Sequence, residues 1–177
     1  MGFCLFNNIS IGARHAQKKH GLARVAIVDF DVHHGNGTQQ IFYSDRSVLY
    51  ASTHQMPLFP GTGAVRETGV GNIFNSPLAP GDGGAELQEA FQDRILPALE
   101  AFSPELIIVS AGFDAHVRDP LASLTMTADD FAWVTRELMK SAEKRCYGRL
   151  VAVLEGGYDL QGLAESVAAH VGELLKG

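Results

Sequence analysis

The sequence predicts an α/β fold, a doubly wound and mostly parallel sheet with helices on both faces. Two observations predict it. Short apolar runs, Val25–Val28, Leu106–Val109 and Leu150–Leu154, alternate with longer stretches whose apolar residues recur at helical spacing. Three of these runs stop abruptly in glycine and in polar residues: Asp29-Phe30-Asp31-Val32-His33-His34-Gly35, Ser110-Ala111-Gly112-Phe113-Asp114, and Glu155-Gly156-Gly157-Tyr158. In open α/β sheets, ligands sit just beyond the carboxyl ends of the strands, which is where these residues fall. A length of 177 residues suits a single domain, 1–177, with a substantial core.

The elements follow in order. Ile9 to His20 reads as a helix closed by Gly21, a C′ glycine. Val25–Val28 is a buried strand, Gly37 to Tyr43 a short helix, and Ser47 to Ser52 a second strand. Thr53 to Gly84 holds most of the Gly and Pro and reads as a long functional loop, with a short strand at Ile73-Phe74. Ala85 to Phe102 reads as one amphipathic helix, with Leu87, Phe91, Ile95 and Leu99 at i, i+4 spacing. Leu106–Val109 is a third core strand. Thr127-Ala128-Asp129-Asp130 opens a helix to about Cys146. Leu150–Leu154 is a fourth core strand, and a helix from about Leu160 to Leu175 closes the chain.

A hydrophobic fraction of 46% and a charged fraction of 19% are those of an ordinary soluble protein. The net charge of −6 argues against nucleic acid as a direct partner. No apolar run is long enough to span a membrane, and the first residues lack the basic, apolar order of a signal peptide. Cys4 and Cys146 form neither a CxxC motif nor a disulfide framework, so they read as small core hydrophobes and the expected compartment is the cytoplasm. His15, His20 and His170 read as surface histidines, and Trp133 as core.

Asp31 and His33 are two residues apart, so in extended backbone both point to one face and both reach one ion. Asp114, from another strand end, completes a three-donor set. Three protein ligands leave a position open for water, the pattern of catalytic zinc. Carboxylate donors suit Fe²⁺, Co²⁺ and Mn²⁺ as well, so the metal stays open. The competing reading makes Asp31 and His33 a helix cap or partners of arginines.

Taken together, the segments GFCLFNN, VDFDVHHGNGTQ, STHQ, FPGTG, SAGFDAH, DPLASLTMT and LEGGYDL resemble the zinc-dependent histone deacetylase family, its class II-like branch and the bacterial acetoin-utilization and acetylpolyamine amidohydrolase branch. They occur in that family's order over nearly the whole chain. The resemblance implies an arginase/deacetylase-like fold and the hydrolytic removal of acetyl groups from acetyl-lysine, polyamines or small acetylated amines. It implies that Asp31, His33 and Asp114 hold zinc, and that the Tyr158 hydroxyl supports the oxyanion. It implies a structural K⁺ at Asp29 and Ser52, and a substrate channel at Phe3, Phe59 and Gly157. His34 and Asn36 are implied neighbours of the site, with Asp29 and Asn36 matching residues that orient a catalytic histidine pair.

In the family that pair precedes the GFC motif, at which this chain begins. The expectation is therefore an N-terminally truncated, deacetylase-like unit that binds zinc and turns over weakly or not at all, since acid–base catalysis contributes about 10²–10⁴-fold. Missing upstream strands are expected to expose a sheet edge and to invite a homo-oligomer. The alternatives are a non-catalytic module that captures acyl-lysine, or an arginase-like ureohydrolase. Against the latter, Gly35 stands where a D-x-H-x-D pattern needs an acid.

Overall fold

The computed structural model describes residues 5–177. Phe3 and Cys4 lie outside the described residues. Five strands form one sheet: β1 (Val25–Asp29), β2 (Val48–Gln55), β3 (Ile73–Leu78), β4 (Leu106–Ala111) and β5 (Leu150–Leu154). Their order is β3-β2-β1-β4-β5, and every pairing is parallel. The helices are α1 (Asn8–His20), α2 (Asn36–Phe42), α3 (Gly84–Ala90), α4 (Leu96–Phe102), α5 (Ala128–Cys146) and α6 (Leu160–Leu174). No helix among the described residues is long and apolar enough to cross a membrane.

Alternation along β1 divides the core between the two faces of the sheet. Ala26 and Val28 join a cluster with Leu87, Phe91, Leu99, Phe131 and Leu138, from the helices α3 to α5. Val25 and Ile27 join the other cluster, with Ile9 and Ala13 of α1 and Phe42 of α2. Burying each such side chain contributes about 1.5–3 kcal/mol. The parity continues past the strand. Phe30 and Val32 are buried with the first cluster, which leaves Asp29, Asp31 and His33 on the α1 side.

The helix starts follow capping chemistry. Asn7 Oδ1 accepts from the Ser10 N–H at 2.8 Å at the head of α1, and Gly21 ends it at φ +69°. At the head of α5, Thr127 N–H donates to Asp130 at 2.8 Å.

Several expectations are corrected. The single helix expected over 85–102 is α3 and α4 joined by a π-helical turn, Phe91–Ile95, in which Leu96 N–H reaches back to Phe91 O. Pro97 has no N–H and its ring crowds the preceding turn, which accounts for the irregular turn just before it. The short strand at Ile73-Phe74 runs six residues, to Leu78. It carries Pro77, which an edge strand tolerates. The strand expected to end at Ser52 continues to Gln55. β5 is an edge strand and not a core one, with Val151 and Leu154 51% and 58% exposed, because it pairs with β4 alone. His170 is buried, not surface, its ring against Phe30 and Phe113. Cys146 and Trp133 pack as expected, against the first cluster.

Candidate metal centre

Asp29 lies in register between Ser52 of β2 and Ser110 of β4, so a carboxylate sits between two hydroxyl-bearing residues across three strands. Beyond it the chain turns, with Asp31 N–H donating to Asp29 Oδ1 at 3.1 Å and His33 N–H to Asp31 Oδ1 at 2.8 Å. These turns aim Asp31 and His33 into one cavity, whose walls include Asn7, Asp29, Ser110, Glu155, Gly156 and Tyr158.

Asp31, His33 and Asp114 come together there, with one donor atom from each lying within 4.8 Å of the others. His33 Nδ1 is 3.2 Å from Asp31 Oδ1 and 3.0 Å from Asp114 Oδ2. Each carboxylate is anchored by its other oxygen. Val32 N–H donates to Asp114 Oδ1 at 2.9 Å, and Gly156 N–H to Asp31 Oδ2 at 2.9 Å. Such backbone anchors leave one oxygen of each group facing the shared locus. Gly156 is required by close approach, since a Cβ there would collide with both carboxylates.

Among the described residues the site is rich in acid. Asp29, Asp31 and Glu155 line the cavity with His33, while Asp114 is fully buried behind it. Hydrogen bonding to the Asp114 and Asp31 carboxylates pushes His33 up to about 10, which favours the imidazolium form. Burial pushes Asp114 up to about 6. Burial, then the neighbouring Asp31, raises Asp29 well above the carboxylate range, and burial also raises Glu155. Carboxylates gathered this closely need cations, and the two-oxygen, one-nitrogen donor set fits a divalent ion.

The other sequence-identified residues are placed as follows. Tyr158 lines the cavity and is 37% exposed. Gly157 precedes it at φ +143°. Asn36 begins α2, and its Oδ1 is buried with no hydrogen bond partner among the described residues. His34 is buried outside the cavity walls. Its Nε2 lies 3.0 Å from Gln39 Oε1 and its Nδ1 2.7 Å from Thr62 Oγ1, which ties down the FPGTG loop. Phe59 lies on that loop, 64% exposed, and is not among the residues that line the cavity. Ser52 is fully buried, its Oγ 2.9 Å from His54 Nδ1. His54 Nε2 faces the Gly63 carbonyl at 3.0 Å, which only accepts, so Nε2 carries the proton and the Ser52 hydroxyl donates to Nδ1.

Glu155, which lines the cavity, and Tyr50, buried behind Asp29, carried no expected role. Glu155 accepts from Ser110 Oγ at 3.2 Å, and Tyr50 donates its O–H to Asp29 Oδ2 at 3.0 Å. Glu155 follows the last residue of β5, so the strand-end rule that picks out Asp31 and Asp114 would also have found it.

A parallel α/β sheet thus carries at its carboxyl edge an Asp/His/Asp cluster that could hold a metal ion. Comparison with known proteins narrows the class. The model of the histone deacetylase domain matches residues 1–174. The chain is 48% identical over 172 residues to histone deacetylase 10, chloroplastic, of Oryza sativa subsp. japonica, covering 95% of this chain and 39% of that protein. It is 48% identical over 165 residues to a probable deacetylase of Archaeoglobus fulgidus, covering 91% and 46%. It is 47% identical over 163 residues to the histone deacetylase-like amidohydrolase of Pseudomonas aeruginosa, covering 89% and 43%. The crystal structure of the HDA15 HD domain superposes with a TM-score of 0.93 at 42% identity, over 99% of this chain and 50% of that one. The chain belongs to the histone deacetylase family. It spans less than half the length of these three relatives.

Proposed function

We propose that the chain is the metal-binding part of a zinc-dependent amidohydrolase that removes acetyl groups from acetyl-lysine or other acetylated amines. The observation that carries this is the convergence of Asp31, His33 and Asp114 within 4.8 Å at the wall of a cavity that Asp31, His33 and Tyr158 line. Asp31, His33 and Asp114 would hold a divalent ion, which when bound would supply Lewis-acid chemistry to the amide carbonyl and to water. The Tyr158 phenol donates a hydrogen bond where negative charge develops on the former carbonyl oxygen. Gly156 and Val32 hold the two carboxylates in place by their N–H groups. In the same reading Asp29 and Ser52 hold a monovalent cation such as K⁺, which would neutralise the buried Asp29.

The test is metal content and turnover together. The purified chain should bind about one divalent ion at the three donors, and it should lose hydrolysis of an acetyl-lysine reporter peptide on chelation and regain it with zinc. Restoration by Fe²⁺, Co²⁺ or Mn²⁺ but not zinc would change the metal. No divalent ion bound at all would overturn the reading.

One observation favours a second reading, capture of acyl-lysine without efficient turnover. Among the described residues that line the cavity, His33 is the sole imidazole, and it belongs to the donor set. Hydroxamate binding that depends on the metal, without hydrolysis of the reporter, supports this second reading.

A further inference from the structure

The segment Asp119 to Thr127 has no part in the proposed chemistry, yet its first residue reaches the active loop. After β4 the chain passes Asp114 and folds into a tight turn, with Asp119 N–H donating to His116 O at 2.8 Å. Val117 N–H to Met126 O at 2.8 Å and Met126 N–H to Ala115 O at 3.2 Å close this turn into a rigid unit. Asp119 is buried, 7% exposed, and its carboxylate uses both oxygens. Oδ1 accepts the Leu121 N–H at 3.0 Å, and Oδ2 accepts the Tyr158 N–H at 2.8 Å.

The second bond matters because of where it lands. Tyr158 follows Gly156-Gly157, two residues with wide backbone freedom. Gly156 is fixed to Asp31, and Gly162 to the side chain of Asp159, at 2.7 Å. Between these points the Asp119 carboxylate fixes the backbone of Tyr158. A charged acceptor makes that bond a strong one.

We propose that Asp119 is the positioning residue for Tyr158, coupling the turn that follows Asp114 to the loop that carries the phenol. The proposal rests on the reading of Tyr158 as the donor to the substrate carbonyl. Asparagine at 119 has only one acceptor oxygen, so it satisfies Leu121 or Tyr158 but not both, and alanine satisfies neither.

The experiment compares the wild-type chain with Asp119→Asn, Asp119→Ala, Tyr158→Phe and the Asp119→Ala/Tyr158→Phe double variant, all loaded with zinc. Selective ¹⁵N-tyrosine labelling gives four amide signals, one for each tyrosine, and Tyr158→Phe assigns the one of interest. The Tyr158 amide proton should move upfield in Asp119→Ala and less in Asp119→Asn, with the other three signals held. On the acetyl-lysine reporter, Asp119→Ala should lower kcat about 10- to 100-fold and leave KM within about twofold. The double variant should be no slower than Tyr158→Phe alone. An unmoved Tyr158 amide in both Asp119 variants overturns the proposal, as does additive loss in the double variant. If the wild type binds no zinc the function proposed above fails, and if it binds zinc without turnover the second reading holds, while in both cases the amide signal still decides whether Asp119 holds Tyr158. If Asp119→Ala does not fold, Asp119→Asn carries the same comparison.

Discussion

Asp114 Oδ2 lies 3.0 Å from His33 Nδ1, although 81 residues separate the two in the chain. The contact exists because β1 and β4 are neighbours in the sheet and both end at the same edge. Asp114→Ala removes one of three donors and leaves His33 beside Asp31 alone. The expected outcome is a loss of zinc affinity of more than about 100-fold, beyond what disturbing a supporting partner costs. Metal analysis after dialysis against a weak chelator checks it. Far-UV circular dichroism should remain that of the wild type.

Metal uptake should be coupled to protons. In the metal-free protein Asp114 and Asp31 push His33 up to about 10, so its imidazole is protonated at neutral pH. A metal ion requires the neutral ring, and binding therefore releases that proton. Affinity should rise with pH across the neutral range. Below about 6 it should fall more steeply, as Asp114, pushed up to that value by burial, takes a proton too. Calorimetry in buffers of different ionisation enthalpy should report about one proton released near pH 7. Release of none would contradict the bridging imidazolium.

Acid should destabilise the fold through His54. Burial, then the adjacent His34, pushes His54 down to about 4 from an ordinary value of 6.5. The unfolded chain thus binds this proton first as pH falls. The stabilising contribution is complete above about 6.5 and is lost progressively toward 4. The shift corresponds to about 3 kcal/mol in full, and about 2 kcal/mol of it is lost by pH 5. Asp29 and Asp114 are raised and act in the opposite sense, so the raw pH profile mixes the two. The comparison with His54→Gln isolates the histidine. Urea denaturation at pH 7.5 and pH 5 should show a smaller loss in the variant than in the wild type.

The fold was legible where local pattern and tertiary role agree. The apolar run Val25–Val28 predicts a buried strand, and it sits at the centre of the sheet. Leu150–Leu154 has the same composition but lies at the edge, because burial of a strand depends on neighbours that its own sequence does not specify. The π-helical turn before Pro97 was missed since apolar spacing across 85–102 stays helical whether or not one extra residue is inserted. The clustering of Asp31, His33 and Asp114 was legible because Asp31 and His33 are close in sequence and all three follow strand ends. Asp119 was not, since its function is a hydrogen bond to a backbone N–H 39 residues away, and a backbone partner leaves no trace in residue type. His170 was misplaced because a lone histidine on a helix gives no sign that two phenylalanine rings cover it.

Two glycine substitutions should separate the metal centre from the scaffold. A Cβ at Gly156 would strike the Asp31 and Asp114 carboxylates, both held by backbone N–H groups and unable to retreat freely. Gly156→Ala should therefore weaken zinc binding by about 10-fold or more while leaving most of the fold intact. Gly172 lies inside α6, and nothing stands within 4 Å of a Cβ placed there. Gly172→Ala removes backbone freedom from a helix interior without a clash, so it should stabilise the protein by about 0.5–1 kcal/mol and leave zinc affinity unchanged. Thermal denaturation and zinc titration of the two variants side by side check both directions. A Gly156→Ala protein with wild-type zinc affinity would show that the carboxylates yield more readily than their anchors allow.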